Sequence, residues 1–521
     1  MSPPLRLPRS PTLLLILILL ALTTPALADP PVVHFLIDPT ADVKPISPYI
    51  YGINEPITPD FSGATLTRLG GNRWSAYNWT NNASNAGNDY HFQNDGYLRG
   101  DDVPGGAMIP GIQNAKGHHA AIILTVPMAG YVSADKTPGG DVRNSGPDYL
   151  TSRFRPIAAE KHGPFTLTPD PNSPVVFEDE FVNWAKTQSD SPIWFMLDNE
   201  PDIWAETHAE IHPDPPTYAE MARKTIEFST AIKNVDPNTL IFGPANYGWN
   251  GYVTFQNAPD RNGRDFQEFY LSQMAAAEHE VGHRLLDVLD VHWYPEVRAG
   301  GVRITDPSTL PSVATARIQA PRSLWDPDYL ESSWIANNLR EPIRLIPRLM
   351  DKIARNYPGT KLSISEYNYG GGNDISGALA EADVLGIFGR EGVFAACEWP
   401  LHRREPFIAA AFRMFRDFDG QGATFGDTSV HAQTDDVADT SVYGATDSQT
   451  HQMTAVAINK TDHDIAADFQ IDHESAASVE LFQLTSSNAA PVGIGKVDVN
   501  NGELAITLPP LSVTTIRFAA Q

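Results

Sequence analysis

Trp194-Phe195-Met196-Leu197-Asp198-Asn199-Glu200-Pro201 is an apolar, strand-like run that breaks off in a polar cluster. Pro201 cannot donate to a ladder and stops the strand, which leaves Glu200 at its C-terminal lip. A second stretch repeats the plan: Leu362-Ser363-Ile364-Ser365-Glu366-Tyr367-Asn368, followed by Gly370-Gly371-Gly372, which reads as a mobile loop. Six more β-rich runs, at 49–54, 65–73, 120–126, 240–244, 286–294 and 393–399, alternate with amphipathic stretches. Eight strands in this alternation predict an α/β chain with a (β/α)8 TIM-type barrel over 49–425, its site at the strand C-terminal ends. One crossover helix is predicted over 217–235, with Met221, Ala222, Ile226 and Ile232 at helical spacing and Asp236-Pro237-Asn238 ending it.

From about Val442 the texture changes to brief alternating runs at 453–459, 479–484, 504–508 and 513–518 with no long helix between them. They predict a smaller antiparallel β-sandwich over 426–521. The run 32–37, within the segment 29–48, is expected to add an N-terminal strand to it. No Ser/Thr-Pro linker joins the two domains, so they should pack together.

At the N-terminus Arg6 and Arg9 precede an apolar run, 13–22, and then Ala26-Leu27-Ala28. This is the plan of a signal peptide over 1–28, cleaved after Ala28. A membrane anchor would need roughly 20 apolar residues, about twice what is present. The mature chain is therefore expected to be secreted, extracellular or periplasmic, with no membrane attachment after signal removal, and to act as a monomer.

Lys+Arg 37 against Asp+Glu 63 gives a net charge of −26. Such a surface repels polyanions, which argues against nucleic acid as a partner and favours an uncharged polymer. Core packing uses most of the ten Trp and seventeen Tyr, but those at a surface offer flat faces to sugar rings. A lone cysteine, Cys397, excludes an intramolecular disulfide and a cysteine-rich metal site. Its apolar setting, 393–397, predicts a buried thiol.

On the fourth and seventh strands of a barrel, Glu200 and Glu366 face each other across the mouth. Retaining glycoside cleavage needs such a pair, one protonated and one ionised, roughly 5–5.5 Å apart. Burial and a neighbouring negative charge would raise the pKa of Glu200 into the range of a general acid. Asn199 beside it can hold a sugar hydroxyl. An Asn-Glu-Pro turn alone also fits a plain strand-to-loop boundary; two strands each ending in Glu make the chemical reading the stronger one. In Asp290-Val291-His292-Trp293-Tyr294-Pro295, His292 and Tyr294 alternate onto one face, within reach of the ionised glutamate. A satisfied core histidine would show the same pattern.

Four segments in order resemble glycoside hydrolase family 44, within the large barrel clan A: Gly70-Gly71-Asn72-Arg73-Trp74-Ser75-Ala76-Tyr77-Asn78-Trp79, Asp198-Asn199-Glu200-Pro201, Asp290 to Pro295, and Ser365-Glu366-Tyr367-Asn368. The resemblance implies an endo-β-1,4-glucanase or xyloglucanase acting with retention, with no cofactor required for catalysis and β-glucan as partner. It makes Glu200 the acid/base, Asn199 the residue preceding it, Glu366 the nucleophile, Arg73 the second-strand arginine near the nucleophile, and Tyr294 a nucleophile partner. Trp399 becomes the aromatic floor of the central subsite, and Asn54, Trp74, Trp325 and Trp334 further cleft residues. Family members also hold structural metal ions, here calcium or zinc, whose ligands these motifs leave unassigned.

Two rival readings remain. His279-Glu280-Val281-Gly282-His283 matches the zinc-protease pattern H-E-x-x-H, but Leu286 stands where the extended pattern has glycine and no third ligand follows. A non-catalytic glucan-binding protein would keep the barrel and its aromatic cleft. It would have no need of two carboxyls that destabilise one another.

Overall fold

The computed structural model describes residues 30–473 and 476–519; the signal peptide expected at 1–28 lies outside them. Among the described residues no helix is long and apolar enough to cross a membrane.

Eight parallel strands close into a barrel: Gly52–Asn54, Leu66–Leu69, Ala121–Val126, Ile193–Leu197, Ile241–Asn246, Val288–Trp293, Lys361–Tyr367 and Ala395–Glu398. Each pairs with its sequence neighbour, and the eighth returns to the first through Cys397 opposite Gly52. Alternation sorts the side chains. Ala121, Ile123, Trp194, Met196, Phe242 and Cys397 pack inside the barrel, while Ile122, Leu124, Phe195 and Leu197 meet the helices outside. The predicted crossover helix is Tyr218–Val235, and the Thr217 hydroxyl accepts from the Glu220 N–H to cap its first turn.

The strands are shorter than the sequence runs, most of all in the second. At Gly71 the backbone enters positive φ and turns into a short helix, Asn72–Ser75, so 70–73 leaves the ladder. The glycine run after the seventh strand is a packed turn and not a mobile loop. Gly370 and Gly371 sit at positive φ, and a Cβ on any of the three would press on Ile304, Arg317 or Glu405.

The second domain holds nine strands in one continuous hydrogen-bonded path. Thr428–Thr434 pairs through its first half with Thr440–Thr446 and through its second half with the N-terminal strand Val32–Asp38. It thereby turns the corner between two layers whose inner faces form one core, with Phe35 stacked on Phe469 at 4.5 Å. The N-terminal strand does join the sandwich, but it runs parallel to Ile465–Ile471. The sandwich is therefore mixed, not wholly antiparallel. Helix Ile375–Glu391 lies between barrel and sandwich. Its Asp383 accepts from Tyr443 Oη at 2.5 Å and pairs with Lys460 Nζ at 2.9 Å, and neither charged side chain is more than 2% exposed.

Candidate active site

The fourth strand ends in two non-glycine residues in the left-handed region, Asp198 (φ 65°) and Glu200 (φ 46°), a conformation that costs about 1–2 kcal/mol per residue. Anchors on both sides hold it. The Asp198 carboxylate accepts from the backbone N–H groups of Met128 (2.5 Å), Ala129 (3.0 Å) and Asn199 (2.7 Å), and Glu200 N–H donates to the Ala245 carbonyl. Strained backbone held by its surroundings is a signature of functional sites.

Strict alternation along the seventh strand would send Glu366 outward, because Ser363 and Ser365 already face in. A bulge corrects this: Val291 pairs with Ile364, but the next residue, His292, pairs with Glu366. Ser365 and Glu366 thus both point inward. Ser365 donates to Asp290, while Tyr367 turns out to Glu381.

Inside, Arg68 Nη1 donates to Glu366 Oε1 at 2.6 Å and to Asn54 Oδ1 at 3.0 Å, and Nη2 donates to Asn199 Oδ1 at 2.8 Å. Gly70 lies over this guanidinium, where a Cβ would come within 2.2 Å of it. Tyr294 Oη donates to Glu366 Oε2 at 3.1 Å. His292 Nδ1 lies 2.9 Å from Glu200 Oε1 and 3.4 Å from Glu366 Oε2. One oxygen of each glutamate and a ring nitrogen of His292 lie within 4.8 Å of one another. Burial, aided by Asp89 and opposed by Arg68, pushes the Glu200 carboxyl up to about 7. Burial also drives His292 down to about 3, so its imidazole is neutral. These groups open onto a chamber of about 1060 Å³ lined by Asn72, Asp89, Tyr90, Tyr97, Asn199 and Trp399, among others.

The remaining expected site residues divide. Trp399 faces the chamber with its indole against Gly71, and Asn199 lines it with Nδ2 towards Asn72. Asn54 is buried, its amide donating to the Ser365 and Glu398 carbonyls, so it braces Arg68 and does not line the cleft. Arg73 is not the arginine at Glu366. It pairs with Asp95 at 2.6 Å on the chamber wall, under the Tyr97 ring. Arg68 holds the inner place because it shares an inward register with Leu66, whereas Arg73 comes after the strand has ended. Trp74 is packed edge-on against Tyr77 in the core. Trp325 lies beneath Arg390 in a groove between barrel and sandwich, away from the chamber. Trp334 opens the helix Trp334–Leu339 and is 38% exposed, outside the chamber lining. Sequence reading missed Arg68, Tyr90 and Tyr97; a charged residue between apolar neighbours in Leu66-Thr67-Arg68-Leu69 was the available signal for the first.

The protease pattern dissolves, because its helix ends at Val281 and Gly282 caps it at positive φ. His279 and His283 therefore do not share a helical face. Among the described residues the one group of three ligand-type side chains close enough for a cation is Glu200, His292 and Glu366. The buried guanidinium of Arg68 against Glu366 makes that a poor place for a calcium or zinc ion.

A closed parallel barrel with two glutamates converging at its C-terminal mouth is the arrangement of a glycoside hydrolase. Comparison with known proteins agrees. Residues 83–297 match the model of glycoside hydrolase family 44. Endoglucanase A of Paenibacillus lautus is 40% identical over 94% of this chain and 73% of its own. The solved structure of the Paenibacillus polymyxa family 44 xyloglucanase is 36% identical, with a TM-score of 0.89, over 94% of this chain and 100% of that one. The family 44 endoglucanase of Clostridium thermocellum is 38% identical, with the same TM-score and coverage. The chain belongs to glycoside hydrolase family 44.

Proposed function

We propose that the protein is a secreted endo-acting enzyme that cleaves β-1,4-glucan, of cellulose or xyloglucan type, by double displacement with retention. The observation that carries the mechanism is that one oxygen of Glu200 and one of Glu366 lie within 4.8 Å of each other, which favours direct attack over the intervening water of an inverting enzyme. Glu366, held by Arg68 and Tyr294, is the nucleophile. It attacks the anomeric carbon while Glu200, neutral below about pH 7, gives its proton to the departing glycosidic oxygen. Glu200, now a carboxylate, takes a proton from water, which attacks the same carbon and frees Glu366. Two inversions restore the β configuration. The activities named for the relatives support the polymer class, and the open chamber supports attack within chains. The cationic, apolar and small-residue order of 1–28 supports secretion.

The roles are tested with azide and an aryl β-glycoside bearing an acidic phenol. Glu200→Ala should lose about 10²–10⁴ on polysaccharide yet release β-glycosyl azide. Glu366→Gly should give α-glycosyl azide. The opposite products would exchange the assignments. Viscosity of a soluble glucan should fall much faster than reducing ends appear; a proportional decline would make the enzyme exo-acting. Cleavage after Ala28 is checked by N-terminal sequencing of the exported protein.

A further inference from the structure

The floor of the cleft rests on carboxyls that the reaction does not use. Glu398 ends the eighth strand, immediately before Trp399, and Glu405 stands just ahead of the helix Pro406–Arg416. The six residues between them, 399–404, carry the tryptophan. One amide joins the two acids and the loop: Asn368 Nδ2 donates to Glu398 Oε1 at 2.6 Å, to Glu405 Oε2 at 3.3 Å and to the Trp399 carbonyl at 2.9 Å. Both carboxyls, at 1% and 6% exposure, thus converge on a single amide. Around them stand Glu381 from the neighbouring helix, bonded to Tyr367 Oη, and His402 from the loop itself. Among the described residues no lysine or arginine pairs with any of the three acids.

Two ionised carboxylates cannot both be held on one amide in such a buried setting with no lysine or arginine paired to them, which calls for one of them to carry a proton that the other can accept. We propose that Glu398 and Glu405 share one proton and through it hold the Trp399 loop as the floor of the cleft. They are positioning residues for substrate stacking, and the inference rests on the reading of the chamber as a glucan-binding cleft. Burial and the facing charges of Glu405 and Glu381 hold Glu398 well above the usual carboxylate range, which keeps the proton in place at neutral pH. At alkaline pH its loss sets like charges against each other, and the tie between the two ends of the loop opens. Glutamine at 405 keeps the contact, since its amide can accept from a neutral Glu398 or donate to an ionised one.

The experiment measures binding of a cello-oligosaccharide by calorimetry from about pH 5 to about pH 9.5 in Glu366→Gln, with and without a change at Glu405. The parent should lose about tenfold in affinity across the range, the worth of one aromatic stack. The added Glu405→Gln should hold within about threefold, and the added Glu405→Ala should bind about tenfold more weakly at the acid end as well. Equal pH dependence in the parent and the Gln double variant overturns the shared proton. It does so whether or not the Ala variant folds, which near-ultraviolet circular dichroism reports. Tight binding by a folded Ala variant overturns the positioning role. A parent that binds no oligosaccharide at any pH removes the cleft reading itself, and this inference with it.

Discussion

Arg68 holds Glu366 by a 2.6 Å hydrogen bond from a guanidinium with no exposed surface to a carboxylate 7% exposed. The same guanidinium reaches Asn54 and Asn199, so one side chain ties together residues from the first, fourth and seventh strands.

Lysine can supply the charge at position 68 but not the fork. Arg68→Lys should lower kcat by about 10²-fold or more, in line with removal of a preorganised donor. Arg73→Lys, whose partner is Asp95, should leave kcat within about threefold. Steady-state kinetics on a soluble glucan decide it, and a larger loss at Arg73 would restore that residue to the nucleophile.

Glu200 must be protonated to act as acid, so kcat/KM should fall above a midpoint at about 7. Stability follows the same direction. Burial lifts Asp202 and Asp290 to about 7 and Glu381 to about 8. The folded state thus keeps protons that the unfolded chain has lost, and stability drains away as pH rises from about 4.5 to about 8. On the acid side Glu220, despite its burial, is drawn down to about 2 by His212 and Lys224, so its contribution is lost as pH falls below about 4.5. Melting temperature should therefore peak near about pH 5, and Glu381→Gln should flatten the alkaline descent. A melting temperature that climbs between pH 5 and 8 would contradict this.

Trp399 and Trp74 should separate cleanly. Trp399→Ala should raise KM by about tenfold with an unchanged melting temperature. Trp74→Ala should cost about 3–5 kcal/mol of stability, as a large buried side chain does. Thermal unfolding alongside kinetics distinguishes them, and a reversed pattern would put Trp74 in the cleft.

Much of this was legible in the sequence, and the remainder divides by cause. Strands announced by apolar runs that break off in polar turn residues, such as Ile193–Leu197 before Asp198-Asn199 and Met453–Asn459 before Lys460-Thr461-Asp462, lie where the sequence puts them. Arg68 was hidden because 65–73 reads as one unbroken strand, and only the turn at Gly71 shows which arginine remains in the ladder. The inward aim of Glu366 depends on a bulge defined against the sixth strand, and a partner's register cannot be read from one segment. Trp325 and Trp334 lie between the sixth and seventh strands, where no period fixes direction.

Lys460→Met should cost about 3–5 kcal/mol by leaving Asp383 charged and buried. Adding Asp383→Asn should recover most of that loss. Denaturant unfolding of the two variants measures the difference, and equal stabilities would mean that Asp383 has another partner.

Among the described residues the strand Val32–Asp38 finds its neighbours in Thr428–Thr434 and Ile465–Ile471, so the barrel is a passenger threaded between two ends of one sandwich. During synthesis this strand waits unpaired while nearly four hundred residues follow it, and the barrel has all its strands before the sandwich has any partner for its first. Its place in the sandwich therefore cannot be filled until residues near the C-terminus exist. Any fusion or tag placed ahead of Val32 sits beside a strand that must wait for the far end of the chain.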